Sequence, residues 1–237
     1  MISRAELAVL VLLVGGTLAW SAVDPVDRSL WWLHVSPFLL ALPILLVSGW
    51  KFPLTPLVYR LISLMAVVLF VGGHYTYARV PAGEWVREWF GLARNHYDRF
   101  TYVLEGAVPA MIAREIMLRR TALRPDGWMA FLACAVALGL SAAYEIAGWW
   151  YAIYQGVASA ESLGPWFDPL DTLWDMSMAL AGAVLAQALA ARMHDRQLTK
   201  LFVEVEGRGF TVDAKGGRRT RPAPAPLPPS VAPPPNA

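Results

Sequence analysis

The chain has 237 residues, of which 57% are hydrophobic and 16% are charged, and its formal net charge at pH 7 is +2. Its mean hydropathy of +0.43 is too apolar for a soluble domain of this length. The composition therefore excludes an ordinary soluble enzyme and indicates an integral membrane protein. The single cysteine, Cys134, also excludes a disulfide framework and a thiolate metal site.

Six stretches approach the roughly 20 apolar residues that a helix needs to cross the hydrocarbon core of a membrane. They are residues 5–22, 30–50, 56–76, 100–118, 128–151 and 171–193. The first stretch is as long as a span and lacks a clean cleavage site, so we expect an uncleaved helix and not a signal peptide. The sequence thus predicts an all-α membrane bundle of six transmembrane helices within residues 1–200.

The distribution of lysine and arginine predicts how this bundle is oriented, because basic loops stay in the cytoplasm. One side holds Arg4, Lys51, Arg60, Arg114, Arg119, Arg120, Arg124, Arg192, Arg196 and Lys200, and the other holds Arg28, Arg79, Arg87, Arg94 and Arg99. The loop 152–170 has no basic residue but carries Glu161 and Asp168, as expected of an outer loop. We therefore expect a multi-pass protein of a bacterial inner membrane with both termini in the cytoplasm.

Two segments outside the spans have a distinct character. Residues 82–93 place Trp85, Trp89 and Leu92 at helical spacing, which predicts a short amphipathic helix lying flat on the outer surface. Residues 201–237 end in a run rich in proline and alanine, which predicts a disordered cytoplasmic tail.

Small residues predict where the spans approach one another closely. Gly139 with Ala143, and Gly182 with Ala186, lie four positions apart on their spans. Such pairs let helix backbones come into contact in a membrane. We expect both pairs to lie in helix contacts.

Acidic, histidine and tyrosine residues recur at one end of four spans, the end that the basic residues predict to face outward. They are His74, Tyr77, His96, Asp98, Tyr102, Glu105, Glu145, Asp171 and Asp175. Helical spacing puts Asp98, Tyr102 and Glu105 on one face, and Asp171 and Asp175 on another. We expect these residues to form one polar site in the outer third of the membrane.

The residues of this set differ in how strongly they indicate a functional role. An ionised carboxylate costs on the order of 3 kcal/mol at the centre of a spanning helix, so Glu145 and Asp175 need a partner or water. With His96 they are the candidate catalytic acids and bases, and the other six are candidate binding residues. Asp98 and Asp171 have an alternative explanation, because a helix N-terminus favours a negative charge. His34, one turn into the second span, is interpreted as an interfacial histidine.

Four motifs together carry a family resemblance: GGHYTYARVP, RNHYDRFTYVLEGAVPAMIAREIMLRR, SAAYEIAGWW and DTLWDMSMALAGAVL. They resemble the YjdF-like family of predicted bacterial inner-membrane proteins, which is more distantly similar to VanZ-like proteins, over about residues 10–193. The resemblance implies the fold and the location but no particular reaction. It matches the family's histidine and acidic positions at His74, His96, Asp98, Glu115, Glu145, Asp171 and Asp175. Tyr102 and Gly148 stand where the family commonly has histidine and glutamate, which weakens a metal or proton-relay role.

Three classes of function remain open. The first is an enzyme or binding protein that acts on a lipid-linked or phosphorylated envelope molecule at the outer leaflet, with carboxylates available to a divalent cation. The second is a non-catalytic envelope assembly or structural protein whose polar cluster holds the helices in register. The third is a small proton-coupled transporter that uses Glu145 and Asp175. It is disfavoured because no comparable titratable groups continue through the bilayer centre to the inner face, and no inverted repeat is present. At the inner end, local pairing and snorkelling explain Arg114 and Glu115, with Arg119 and Arg120 beyond them.

The expected partners are membrane lipids and, in the first class, a lipid-linked ligand. Topology explains the basic residues, so we expect no nucleic acid partner. Motifs typical of soluble catalytic sites are absent, including a Gly-rich phosphate loop, a G-x-S-x-G elbow and an H-E-x-x-H pair. The sequence leaves the substrate, the metal and the oligomeric state open.

Overall fold

A computed structural model describes residues 2–154, 171–207, 210–212 and 218–220. The elements are α1 (Arg4–Ser21), α2 (Arg28–Lys51), α3 (Pro56–Tyr75), α4 (Pro81–Phe90), α5 (Tyr97–Arg120), α6 (Gly127–Tyr154), α7 (Asp171–Gly207), β1 (Phe210–Val212) and β2 (Arg218–Thr220). Among these, α1, α2, α3, α6 and α7 are the five helices long and apolar enough to cross a membrane. The remaining predicted span, residues 100–118, lies within α5.

Helix α5 has 24 residues, which corresponds to a length of about 36 Å. It is long enough to cross the hydrocarbon core, but its charged residues keep it from being recognised by apolarity alone. It packs against α3, α6 and α7, and most extensively against α7. Several charged side chains of α5 have partners on these neighbouring elements, among them Arg99 with Asp175, Arg114 with Asp195 and Glu115 with Thr55.

Polar contacts show which helix ends lie together. Glu6 at the start of α1 pairs with Arg60 near the start of α3 at 2.7 Å. The backbone N–H of Leu57 donates to Gln197, late in α7, at 2.8 Å. The start of α1 and the late part of α7 thus lie at the same end of the bundle, as an alternating six-helix path requires. We name this the inner end and the opposite one the outer end, following the basic residues.

Capping residues explain where several helices begin. The Ser3 side chain accepts a hydrogen bond from the Glu6 backbone N–H at 3.0 Å. Asp27 accepts two, from the backbone N–H groups of Ser29 and Leu30. Proline begins α3 and α4, where its missing N–H leaves no donor unsatisfied. These choices are local and readable from the sequence.

Glycine brings α5 and α7 into backbone contact. A Cβ atom added to Gly106 would lie 1.7 Å from the carbonyl oxygen of Ala179, and one added to Gly182 would lie 1.9 Å from that of Val103. The prediction that Gly182 lies in a helix contact is confirmed. The prediction for Gly139 is wrong, because a Cβ there would meet no atom of another described element within 4 Å. Close approach at Gly106 and Gly182 fixes how the polar faces of α5 and α7 meet.

The predicted amphipathic helix is present as α4, which ends before Gly91, a residue with a φ of +61°. Trp85 and Trp89 are exposed on one side. On the other side Gly83 lies so close to Asn95 that a Cβ would be 1.9 Å from the amide oxygen. Asn95 also donates to the carbonyl of Val80 at 3.1 Å, so α4 is fixed to the start of α5.

The tail differs from its prediction. Helix α7 continues past residue 200 to Gly207, and β1 pairs with β2 in an antiparallel arrangement in which Thr211 lies opposite Arg219. A disordered tail from residue 201 is therefore wrong for residues 201–207, 210–212 and 218–220, and the fold is all-α apart from this short hairpin. The proline-rich run 221–237 and the acidic outer loop, from residue 155 to 170, lie outside the described residues.

Candidate functional site at the outer end of the bundle

Arg99 connects the starts of α5 and α7. Its guanidinium donates to Asp171 at 2.7 Å and also to Asp175. The i and i+4 spacing places both aspartates on one face of α7. Arg94 contacts Asp98 at 3.1 Å and Asp171 at 3.3 Å. These five residues form the outer-end cluster, in which basic and acidic groups interlock.

Three carboxylates of this cluster lie close enough to share a cation. Asp98, Asp171 and Asp175 each offer one oxygen, and the three atoms lie within 4.8 Å of one another. Oxygen ligands of this kind suit Mg²⁺ or Ca²⁺. The guanidinium groups of Arg94 and Arg99 already contact these carboxylates, so the residues fit a divalent cation only if the arginines move away.

Glu145 joins three helices next to this cluster. The hydroxyl of Tyr102 on α5 donates to Oε1 of Glu145 on α6 at 2.5 Å. The hydroxyl of Thr172 on α7 donates to Oε2 at 3.0 Å. Both carboxylate oxygens therefore have a donor, which is how a carboxylate at membrane depth is stabilised.

A polar pocket of about 120 Å³ lies beside these contacts. It brings together six predicted site residues, namely Tyr77, Asp98, Tyr102, Glu105, Asp171 and Asp175. Glu105 is half-buried there. Its carboxylate makes no hydrogen bond to any residue that the structure describes, unlike that of Glu145. Glu105 is thus the acidic group with the greatest freedom to contact a ligand.

An apolar cavity of about 330 Å³ adjoins the polar pocket between α2, α3, α5 and α6. Phe38, Met65 and other apolar side chains form its walls. Ala41 and Ile44 on its rim are exposed, so the cavity opens on the exposed side of α2. The two cavities share three lining residues, which are His34, Glu105 and Tyr144.

A third cavity, of about 650 Å³, lies between α4 and the start of α5 and forms an outer vestibule. It shares Tyr77 and Asp98 with the polar pocket. Withdrawal from water raises the pKa of Tyr77 well above its ordinary value, so its hydroxyl stays protonated. A hydrogen bond from Arg87 lowers the pKa of Glu84 at the vestibule wall. The vestibule therefore adjoins the polar pocket, and the polar pocket adjoins the apolar cavity.

The structure does not bring two predicted histidines into this site. His74 packs against α1, with Nδ1 3.2 Å from the carbonyl oxygen of Ser21 and its ring 4.4 Å from that of Trp20. His96 occupies the position just before α5, where its side chain makes no capping hydrogen bond, and it is exposed. Neither histidine lines the polar pocket, in contrast to the six predicted site residues that do.

His34, in contrast, lines the site although the sequence did not predict it there. The sequence favoured an interfacial histidine, but the structure places His34 in the lining of both the polar pocket and the apolar cavity. Its ring lies edge-on to that of Tyr77, with centroids 4.5 Å apart. The available signal was its position one turn into a span, at the same depth as the other polar residues.

A second polar cluster lies buried at the inner end. Glu115 accepts hydrogen bonds from the backbone and hydroxyl of Thr55, at 3.0 and 2.8 Å, and from Arg119 at 2.9 Å. The Nε2 atom of His194 lies 3.2 Å from Glu115, and both side chains are 0% exposed. This network fixes α5 and α7 to the start of α3.

Arg114 extends this inner-end cluster to α7. It forms a bidentate pair with Asp195, at 2.8 and 3.0 Å, and donates to Gln187 at 3.0 Å. Local pairing was predicted for these charges, and it is found between Glu115 and Arg119 at 2.9 Å. Arg114 instead pairs with Asp195 of α7, so titratable groups of two helices meet at the inner end. Sequence reasoning missed His194 and Asp195 because they come just after the predicted span 171–193, although their spacing from Gln187 was a usable signal.

Long apolar helices around a polar pocket and an apolar cavity define a multi-pass helical membrane protein. The chain belongs to the family described as predicted membrane protein (DUF2238), which matches residues 6–196. It is also 43% identical over 183 residues to inner membrane protein YjdF of Escherichia coli (strain K12), covering 77% of this chain and 88% of that relative. No solved structure matches it. The family resemblance carried by the four motifs is confirmed.

Proposed function

We propose that the protein binds an amphipathic, lipid-linked envelope molecule at the outer leaflet of the bacterial inner membrane. The polar part of this ligand lies in the polar pocket and its chain lies in the apolar cavity. The observation that carries the proposal is that His34, Glu105 and Tyr144 line both spaces. A molecule that fills both must be polar at one end and apolar at the other.

The polar pocket supplies most of the affinity and selectivity. A lipid chain leaves an apolar bilayer for an apolar cavity, so its transfer gains little of the hydrophobic free energy that it would gain from water. Hydrogen bonds made in the pocket have no such equivalent in the bilayer core. Recognition is therefore directed at the polar part of the ligand, and Glu105 is the group best placed for it.

The charge of the polar pocket indicates which chemical groups the polar part of the ligand carries. The pocket and its surroundings hold five carboxylates against two guanidinium groups, and the acidic residues are Asp98, Glu105, Glu145, Asp171 and Asp175. A phosphate would meet this negative charge. Hydroxyl or amine groups would instead donate to it. Among lipid-linked molecules, the site thus favours one with a hydroxyl- or amine-bearing headgroup.

The proposal concerns binding and includes no turnover step. Glu145 accepts two hydrogen bonds, and Asp175 is paired with Arg99. His96 is exposed and lies outside the lining of the polar pocket. The three candidate catalytic residues are therefore not arranged as an acid and a base that face one substrate atom, which general acid–base catalysis requires.

A cavity-filling substitution tests the proposal. Ala41→Trp places an indole in the apolar cavity, whereas Leu40→Trp adds the same side chain at a neighbouring position that is exposed and outside the cavity lining. Lipid that stays bound after mild detergent extraction is measured by native mass spectrometry. We expect Ala41→Trp to abolish a defined lipid adduct that Leu40→Trp retains. Equal adducts in both variants, or no adduct on the wild-type protein, would refute the proposal.

A structural role in envelope assembly is the second candidate function. It is favoured because the basic and acidic groups of the outer-end cluster already contact one another. Arg99 and Arg94 together contact Asp98, Asp171 and Asp175 across two helices. Such a network sets helix register without any ligand. Unfolding of every variant that neutralises it, combined with absence of the lipid adduct, would favour this role.

A further inference from the structure

Two side chains along the apolar cavity hold a buried polar atom that has no hydrogen-bond partner among the described residues. They are Ser141, through Oγ, and His34, through Nδ1. Ser141 is only 4% exposed. Its hydroxyl thus lies in an apolar wall, withdrawn from water and without a hydrogen-bond acceptor among the residues that the structure describes.

Two other serines of this protein form a hydrogen bond that Ser141 does not form. Ser63 donates to the carbonyl of Tyr59 at 2.9 Å, and Ser177 donates to that of Leu173 at 2.6 Å. This bond to the carbonyl one turn earlier is open to any helical serine. A buried hydroxyl left without it is uncommon and calls for an explanation such as a missing ligand.

The depth of Ser141 coincides with the junction between the two cavities. Ser141 comes three residues before Tyr144 on α6, which corresponds to about 4.5 Å along the helix axis. Tyr144, His34 and Glu105 line both cavities, whereas Ser141 lines only the apolar one. An acceptor for the Ser141 hydroxyl would therefore sit where the headgroup of the ligand gives way to its chain.

We propose that the ligand is an acyl lipid whose ester or amide carbonyl accepts a hydrogen bond from Ser141 Oγ. In such a lipid the carbonyl stands between the chain and the headgroup, as the position of Ser141 demands. The carboxylate of Glu105, which has no hydrogen bond to a described residue, then accepts one from a headgroup hydroxyl or amine. This inference rests on the proposed function and narrows its ligand to acyl lipids, as opposed to ether-linked or prenyl-linked ones.

A pair of lipids that differ only in this carbonyl tests the inference. The probes are monooleoylglycerol, which is an ester, and its oleyl ether analogue, offered together in equal amounts to the purified protein. Native mass spectrometry reports the ratio of the two adducts. We expect a roughly three- to tenfold preference for the ester, which is the range that one hydrogen bond supplies.

Ser141→Ala removes only the hydroxyl and leaves a good helix former in place. We expect this variant to lose the preference because its ester binding falls to the level of the ether, while ether binding is unchanged. Ser177→Ala removes an exposed hydroxyl elsewhere and should keep the preference.

The outcomes separate the two proposals. Equal binding of both lipids to the wild-type protein, or an equal loss of both in Ser141→Ala, would overturn the acyl-lipid inference and leave the proposed function standing. Failure of both lipids to bind, combined with no cavity-dependent adduct in the Ala41→Trp comparison, would overturn both.

Discussion

The phenol of Tyr102 on α5 donates a 2.5 Å hydrogen bond to the carboxylate of Glu145 on α6. The bond joins two helices at the depth of the polar pocket, and the hydroxyl of Thr172 on α7 completes the pairing of the carboxylate. Tyr102 stands where the resemblance to the YjdF-like family implies histidine. In this protein the hydrogen-bond donor to Glu145 is therefore a neutral phenol.

Tyr102→Phe should therefore destabilise the protein. Loss of the donor leaves Oε1 of the half-buried Glu145 without this partner. The cost is at most about 1–3 kcal/mol, which is the range for a fully buried acceptor. The expected result is a lower melting temperature in detergent. Tyr75→Phe is the control, because the Tyr75 hydroxyl makes no hydrogen bond within the described part of the chain. Equal melting of the two variants would contradict the importance of the bond.

Tyr102→His should increase divalent-metal binding. An imidazole at this position would stand beside Glu145 and near Asp175 in the polar pocket, and it is a good ligand for transition metals where a phenol usually is not. Elemental analysis after dialysis against Zn²⁺ measures the effect, with Tyr102→Phe as the control that lacks any ligand. A metal content equal to that of the control would refute a latent metal site.

The glycines between α5 and α7 should not tolerate a methyl group. In Gly106→Ala or Gly182→Ala the new Cβ would lie within 2 Å of a backbone oxygen, so the helices must separate, at a cost of at least about 1–3 kcal/mol. Gly139→Ala and Gly148→Ala are matched controls on α6, because a Cβ there meets nothing within 4 Å. We expect lower melting temperatures for the first pair only. Similar melting of all four would show that α5 and α7 do not touch at these positions.

The pair formed by Arg99 and Asp175 should show strong energetic coupling. The two side chains are 14% and 6% exposed, and removing one partner of a buried pair costs on the order of 3 kcal/mol because the other charge is left uncompensated. Asp175→Asn and Arg99→Gln should each destabilise the protein, and the double variant should be less destabilised than the sum. Additive effects in a thermal unfolding cycle would argue that the pair does not hold α5 to α7.

Cysteine labelling tests the orientation that the basic residues predict. In a Cys134→Ala background, Ser159→Cys in the acidic loop should react with an impermeant maleimide added to intact cells. Thr199→Cys, exposed near the inner end of α7, should react only after the membrane is opened. Reversed labelling would place the polar pocket at the cytoplasmic face and refute a ligand from the outer leaflet.

Much of the fold was predictable, because the determining signals are local. Runs of apolar residues, capping by Ser3 and Asp27, and proline at the first position of α3 are features of consecutive residues. Helix α5 was predicted as a span although its charges hide it from a test of apolarity. The continuation of α7 to Gly207 was missed, since a composition rich in polar residues and glycine does not by itself end a helix.

The site was predictable only in part. Periodicity placed Asp98, Tyr102 and Glu105 on one face of α5, and all three line the polar pocket. Depth along the helices also placed His74 in the site and left His34 out, whereas the structure has His34 in the pocket lining and His74 against α1. Depth along a helix follows from residue number, but the direction in which a side chain points depends on how the whole helix is rotated.

The sequence by itself determined the membrane class, the family and the places of the long apolar helices along the chain, because hydrophobic length and helical spacing are properties of a single segment. Only the tertiary structure decided which polar groups meet: Arg99 with Asp175, Tyr102 with Glu145, and Glu115 with His194. The physical reason is that backbone contact at Gly106 and Gly182 sets the rotation and separation of α5 and α7. That rotation determines which side chains of the two helices face each other.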